Sequence, residues 1–210
     1  KNEVDTNLWF KWKHELARQI NLKDLQTSTD AFHFRFWIDV QAIDIWTTDH
    51  SEYFGVVTNY AQRYDDKLLR RGIYKIGKVY SSQVVLDSSK AREVFSIIDK
   101  LTLASIPTGD KINGWQQGLD GEEYLVETST PKNYEFKSYW TPGIFADTVK
   151  EAKQIQTFVD YLKADFKIYN YYKKLELPAG RYQSNGGVSG IEITIPSQNT
   201  PGATRVTNLL

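Results

Sequence analysis

The sequence of 210 residues contains no cysteine and no methionine. Without cysteine, disulfide bonds, thiolate nucleophiles and cysteine-ligated metal sites are excluded. Because translation starts at methionine, a chain that opens on Lys1-Asn2-Glu3 has either been processed or been trimmed. This polar opening is typical of the segment behind a signal-peptide or lipoprotein cleavage site. We therefore expect an exported protein, periplasmic or on the cell surface, with any lipid anchor lost from its N-terminus.

An excess of charge is also missing, since 26 Lys and Arg residues balance 26 Asp and Glu residues. Polyanion binding needs a basic field, so we do not expect nucleic acid as a partner. No apolar run approaches the roughly 18 to 20 residues that span a bilayer, and the mean hydropathy is −0.50. The sequence therefore predicts a soluble chain without a transmembrane segment.

Motifs that identify an enzyme are missing as well. The three histidines lie in different segments, and none has a partner at metal-ligand spacing. There is no G-x-S-x-G turn for a serine nucleophile, and the glycine-rich stretch 186–190 lacks the Lys-Ser/Thr of a phosphate-binding loop. The sequence predicts no metal site and no cofactor, and it identifies no catalytic residue.

Apolar residues, in contrast, are abundant. Hydrophobic residues make up 40% and aromatic residues 14% of the chain, which is enough apolar surface for an ordered core. One core can organise a chain of this length, and no repeat or linker divides it. We predict a single domain over residues 1–210, with a polar N-terminal segment and a frayed C-terminal tail after residue 196.

Apolar residues at three- and four-residue spacing predict the helices. One main helix is predicted over residues 88–101 behind the cap Asp87, and the other over residues 147–172 behind Asp147. A shorter amphipathic helix is predicted over residues 8–20. The two main helices, over residues 88–101 and 147–172, are long enough to cover a sheet.

Period-two alternation predicts strands over residues 33–46, 53–64, 72–80, 83–86, 123–128, 134–140 and 191–195. In the first of them the alternation slips, which predicts a β-bulge near Ala42-Ile43. Hairpins with two helices interposed predict an α+β fold. We expect an antiparallel or mixed β-sheet built from hairpins, with the two main helices packed on it.

Acidic residues are concentrated at and after the tight-turn dipeptide Asp120-Gly121, namely Asp120, Glu122, Glu123 and Glu127. A calcium loop is disfavoured because its D-x-[DN]-x-[DN]-G spacing is absent. Glu123 and Glu127 share one face of the predicted strand, but the sequence does not fix the separation that a glycoside hydrolase requires. The simpler interpretation is a turn followed by a strand with a solvated acidic face.

Aromatic residues are dense in and beside the predicted strands, namely Trp37, Trp46, Trp115, Tyr134, Tyr139 and Trp140. On an exposed sheet face they would form a platform for sugar rings or for a protein partner. Alternatively, they fill the core between the sheet and the helices. The sequence alone leaves both interpretations open.

The run from Gly114 to Tyr124 (GWQQGLDGEEY), followed by Glu127 and by YEFKSYWTP over residues 134–142, resembles a group of exported bacterial proteins of unknown function. Those proteins have a W-x(3)-LDG turn that leads into a strand, and a Y-x-F-x-S-Y-W-x-P strand after it. The segment 57–60 and the helix that begins near Leu86-Asp87 are similar to that group too. The resemblance implies export and transfers no catalytic residue.

Three functions are consistent with these features. We favour a non-enzymatic binding or interaction domain with an aromatic-rich surface, whose partner is a protein or a glycan. Its candidate binding residues are Trp115, Asp120, Glu123, Glu127, Tyr139 and Trp140. The first alternative is a carbohydrate-active hydrolase of the cell envelope that uses the acidic residues between Asp120 and Glu127. The second alternative is an inhibitor or immunity-type protein.

Overall fold

The structure is a computed structural model, and it describes residues 8–118, 121–165, 175–183 and 192–195. The strands in these ranges form one antiparallel sheet: β1 Phe32–Ile38, β2 Gln41–Thr47, β3 Phe54–Tyr64, β4 Ile76–Leu86, β5 Glu123–Ser129, β6 Tyr134–Trp140, β7 Gly180–Gln183 and β8 Glu192–Ile195. The helices are α1 Leu8–Gln19, α2 Asp66–Leu69, α3 Ser88–Lys100, α4 Pro142–Phe145 and α5 Lys150–Asp165. The predicted α+β fold, with an antiparallel sheet built from hairpins, is confirmed.

Neighbouring strands in the sheet follow the order β6-β5-β1-β2-β3, and β4 pairs with the opposite side of β3. The end of β3 extends past β2, and β7 pairs with β3 there. Strand β8 then pairs with β7. The outer strands of the sheet are therefore β6, β4 and the short β8.

The predicted long strand over residues 33–46, with a bulge near Ala42, is wrong. The chain instead reverses at Asp39-Val40, and Ile38 pairs with Gln41 in the hairpin of β1 and β2. Asp39 has a φ of 48°, a left-handed conformation that Asp tolerates better than most residues. The alternation changes phase at this point because the chain turns back. A second correction concerns β4, which is one continuous strand where two were predicted.

The helix predictions largely hold. The side chain of Asp87 accepts a hydrogen bond from the Lys90 N–H at 2.8 Å, which caps α3 as expected. Helix α5 begins at Lys150 rather than at Asp147 because the separate short helix α4 precedes it, and the predicted extension over 166–172 lies outside the described residues. No helix in the described ranges is long and apolar enough to cross a bilayer.

The two faces of the sheet are covered by different helices. On one face, which we call the helix-pair face, apolar side chains of the sheet pack against α3 and α5. Phe158 of α5 lies edge-on to Phe34 and Phe36, with ring centroids 6.0 and 5.1 Å away. On the opposite face, which we call the α1 face, Leu16 of α1 and Ile20, just after the helix, pack over a smaller apolar cluster. The buried charged side chains described next lie beside this cluster.

Candidate binding site

Buried charged residues form a connected row on the α1 face, and strand register explains why. Alternation along β1 places His33 and Arg35 on the same face as Trp37. In β2, Asp44 lies directly opposite Arg35, and in β5 Glu127 does. One arginine therefore lies between carboxylates supplied by both neighbouring strands.

Hydrogen bonds hold the Arg35 guanidinium in place. Its Nε donates to Asp44 Oδ1 at 2.8 Å, its Nη1 to Glu127 Oε1 at 3.4 Å, and its Nη2 to the Lys23 carbonyl at 3.0 Å. Only 1% of Arg35 is exposed. Burial opposes its charge, but the attraction of Asp44 and Glu127 outweighs burial and raises the pKa of Arg35. The side chain is thus a fixed, permanently charged group.

His33 joins Asp44 to a second acid. Its Nδ1 lies 2.9 Å from Asp30 Oδ2, and its Nε2 lies 2.8 Å from Asp44 Oδ1. Because an ionised carboxylate only accepts, the ring bonds to both acids when both nitrogens carry a proton. Burial alone would raise the pKa of Asp44, but Arg35 and His33 outweigh it and lower that pKa below its ordinary value. The charges of this row therefore depend on one another.

Glu127 is surrounded by donors. It accepts hydrogen bonds from Trp37 Nε1 and from the Tyr134 hydroxyl, each at 2.8 Å, in addition to the bond from Arg35. His14 Nε2 lies 3.0 Å from the Tyr134 hydroxyl oxygen. Burial, followed by the charge of Glu127, raises the pKa of Tyr134. Tyr134 therefore remains a donor to Glu127, and His14 in turn donates to Tyr134.

A cavity of about 500 Å³ opens between α1, the segment 22–25 and the sheet, and we call it the α1 cavity. Its apolar lining consists of Phe10, Ala17, Leu22 and Leu25. Arg35 and Glu127 line it from the sheet, and His14 lines it from α1. The cavity therefore combines an apolar part with eight polar or charged lining residues, and its size is within the range of small-molecule sites.

The charges around the α1 cavity are largely paired. Four cations line it, namely Lys11, Arg18, Lys23 and Arg35, and three acids do, namely Glu15, Asp24 and Glu127. Arg18 pairs with Glu15 at 2.8 Å on the exposed rim, and Arg35 and Lys23 also pair with Asp44 and Asp30, which lie behind the lining. No group of three or more His, Asp or Glu side chains within the described ranges is arranged to hold a metal ion. Net charge therefore does not select a ligand here, and the capacity to bind an anion depends on the N–H groups of Arg35 that these partners leave unused.

Trp115 and Tyr139, two of the aromatic residues singled out in the sequence, are buried in the core of the helix-pair face. Their ring centroids are 5.6 Å apart, and Trp115 Nε1 donates to the carbonyl of Trp140 at 2.8 Å. Trp140 is half-buried and packs beside Phe145 of α4. The structure brings these three residues together, but as part of the core and away from the α1 cavity.

Of the acidic candidates that the structure describes, only Glu127 lines the α1 cavity. Glu123 lies four residues earlier on the same strand face, which puts the two Cα atoms about 13 Å apart. The carboxyl groups of a glycoside hydrolase are about 5 to 10 Å apart, so these two side chains would have to lean toward each other along the strand to form such a pair. Burial raises the pKa of Glu123 to about 7, against a hydrogen bond from Ser138. Asp120 lies outside the described residues.

Most of the charged row was missed in the sequence, namely His14, Lys23, Asp30, His33, Arg35 and Asp44. A usable signal was the pattern His33-Phe34-Arg35-Phe36-Trp37, in which charged and apolar side chains alternate within a strand bounded by core residues. If a hairpin turn at Asp39-Val40 is assumed in place of the bulge near Ala42, strand pairing places Asp44 directly opposite Arg35. No protein-family model, curated protein or solved structure matches this chain.

Proposed function

We propose that this chain is a non-enzymatic binding domain that holds a small molecule with one negative charge and an apolar part in the α1 cavity. The observation that carries the proposal is the buried Arg35 at the cavity wall. A guanidinium has five N–H groups, and residues within the described ranges accept from three of them. The remaining donors belong to a group whose position Asp44 and Glu127 fix before any ligand arrives.

Preorganisation favours anion binding at this point. A guanidinium held by neighbours loses little rotamer entropy when it binds a carboxylate, and it donates in a planar fork that matches the two oxygens. Lys23 also lies at the rim, but its Nζ is paired with Asp30 Oδ2 at 2.7 Å, so it adds little positive charge of its own. The anionic end of the ligand would therefore lie at Arg35.

The apolar end of the ligand would lie along the opposite lining. Phe10 and Ala17 come from α1, while Leu22 and Leu25 come from the segment that follows it. Apolar contact in such a cavity contributes about 25 cal/mol per Å² of surface removed from water. A ligand with a short hydrocarbon chain or a ring would use both parts of the cavity.

The surroundings of Glu127 favour binding over catalysis. Its oxygens accept from Trp37, Tyr134 and Arg35, whereas a general base must be able to accept a proton from the substrate. None of the described residues that line the cavity is a Ser, Thr or Cys that would act as a nucleophile. Export, which the polar start of the chain predicts, is compatible with this role and stays a prediction.

Isothermal titration calorimetry with hexanoate, hexylamine and 1-hexanol tests the proposal, because the three probes share one tail and differ in charge. We expect saturable binding of hexanoate, weaker binding of hexanol and no binding of hexylamine. Ala17→Leu would fill the cavity without removing a charged group, so this variant should lose hexanoate binding.

The matched control is Ala164→Leu, which makes the same change at an exposed position of α5. Hexanoate should bind this variant as it binds the unchanged chain, and circular dichroism should show both variants folded. Equal binding of hexylamine and hexanoate, or full binding by a folded Ala17→Leu variant, would contradict the proposal.

A further inference from the structure

The two long outer strands of the described sheet, β6 and β4, differ in whether other parts of the chain cover their free edges. At the β6 edge, Thr108 Oγ1 donates to the Ser138 carbonyl at 3.3 Å and accepts from the Ser138 N–H at 3.2 Å. The loop that carries Thr108 thus satisfies the outward N–H and C=O of Ser138, and covering an edge with a loop in this way is a common protection. Strand β4, by contrast, pairs with β3 and with no further strand of the described ranges.

Strand β4 has little protection against strand addition apart from a bulge at Gly77, near its start. It is 11 residues long, contains no proline, and carries Lys78 as its one charged residue. Long edge strands with so few charges readily pair with another strand. The outer edge of β4 is therefore a surface on which a further strand fits.

The register shows which backbone groups of β4 point outward. The Tyr60 N–H donates to the Val40 carbonyl at 2.9 Å, on the side of β3 that faces away from β4. Tyr60 lies directly opposite Ser81, so this is a pair without mutual hydrogen bonds, and the N–H and C=O of Ser81 point to the free edge. By alternation, the same holds for Val79 and Gln83.

An apolar row reaches this edge on the α1 face. Val85 of β4 is 77% exposed and lies opposite Val56 of β3. Phe54 is 37% exposed and lies opposite Trp46, with the ring centroids 5.7 Å apart. Exposed apolar side chains that adjoin one another in this way mark interaction surfaces.

We propose that two copies of this chain associate through β4, paired antiparallel about Ser81, so that their sheets become one. In this register Ser81 faces Ser81, and Val79 of each copy faces Gln83 of the other. These are the residues whose backbone groups point outward, and their three pairs would exchange about six hydrogen bonds. Directly opposite residues share a face, so the α1 faces of both copies lie on the same side of the joined sheet.

A second copy fits this edge in charge and in shape. Lys78 lies opposite Val84 of the other copy, which keeps the two lysines about 20 Å apart along the strands. The three pairs lie between Lys78 and Val84, so they avoid the bulge at Gly77. The pairing is two-fold symmetric and uses both free β4 edges, so assembly stops at the dimer.

Sedimentation velocity over a concentration series tests the association. We expect a monomer–dimer equilibrium with no larger species. Ser81→Pro removes an N–H that points outward and is not needed by β3, and edge strands accept proline at such positions. We expect Ser81→Pro to be a folded monomer, and Ser81→Ala, which keeps the N–H, to dimerise as the unchanged chain does.

Val85→Lys is a second variant that keeps the test decisive if Ser81→Pro does not fold. It places charge on the exposed apolar row, and we expect its dimer dissociation constant to rise at least about tenfold. A chain that stays monomeric at every concentration, or a dimer that Val85→Lys and a folded Ser81→Pro leave unchanged, would overturn the proposal. A monomer that binds an extended apolar peptide at β4 would overturn it in favour of a different partner.

Discussion

Opposite faces of one sheet are buried in different ways. The helix-pair face is apolar, with side chains such as Phe36 and Phe158 interdigitating between the sheet and two helices. The α1 face buries His33, Arg35 and Asp44 beside a smaller apolar cluster. Apolar contacts are many and individually weak, whereas each buried charge depends on one or two partners. The first face should tolerate conservative substitution, and the second should not.

The difference also separates stability from a binding role. A buried ion pair is often no more stabilising than well-packed apolar residues of the same volume. Charges such as Arg35 and Glu127 beside a cavity instead fix donors and acceptors in a defined geometry. The helix-pair face therefore supplies the apolar core of the domain, while the α1 face supplies the positioned polar groups that a ligand requires.

The largest change in the free energy of unfolding should come from Asp44→Asn, which removes a charge at nearly constant volume. Arg35 and His33 would each lose an ionised partner in a buried setting, and breaking such pairs costs about 3 to 5 kcal/mol. Urea unfolding followed by circular dichroism measures the change in the free energy of unfolding. A loss below 1 kcal/mol would mean that the row is not energetically coupled.

Acid should reproduce part of this effect in the unchanged chain. The folded state lowers the pKa of Asp44 and of Asp30 below their ordinary 3.8. Their contribution to stability is therefore complete above the unfolded pKa and is lost as the pH falls from 3.8 through the lower folded values. Unfolding measured from pH 6 to pH 2 should show a steeper loss for the unchanged chain than for Asp44→Asn. Equal slopes would contradict the coupling.

A smaller change in the free energy of unfolding, and one that stabilises the protein, is expected from Lys13→Met. Burial beneath α1 lowers the pKa of Lys13 from 10.5 to about 7, although Glu127 and Asp39 oppose the shift. Between these two values the unfolded chain binds more protons, so the free energy of unfolding rises with pH. Lys13→Met should flatten this rise and stabilise the protein by about 1 to 2 kcal/mol at pH 7. In the unchanged chain, Lys13 Nζ donates a hydrogen bond to the Tyr60 hydroxyl at 2.9 Å. If Lys13→Met lowers the free energy of unfolding, this hydrogen bond contributes more than the burial of the charge costs.

The smallest change in the free energy of unfolding should come from Phe158→Leu on the helix-pair face. The substitution keeps an apolar side chain of similar size among Phe34 and Phe36, and such changes cost about 1 to 1.5 kcal/mol. The same urea experiment measures it beside Asp44→Asn. A cost larger than that of Asp44→Asn would reverse the proposed contrast between the two faces.

Much of the fold could be predicted because its signals are local. Asp87 as a cap and the alternating residues of β6 define their elements within a few residues of sequence. The hairpin turn at Asp39-Val40 could not be identified in this way because it lacks the Gly or Asn-Gly that usually marks such turns. The pairing of Arg35 with Asp44 depends on that turn. The charged row and its cavity were therefore missed, since they arise from register and from the docking of α1.

The central claim is that Arg35 is positioned to bind an anion in the α1 cavity. ¹⁵N-edited NMR of the arginine Nε–H signals during titration with hexanoate tests it most directly, with the exposed Arg92 of α3 as the internal control. We predict a saturable shift of the Arg35 signal, an unchanged Arg92 signal, and no response of either to hexylamine. An Arg35 signal that hexanoate leaves unchanged, or that shifts only as much as the Arg92 signal, would contradict the claim.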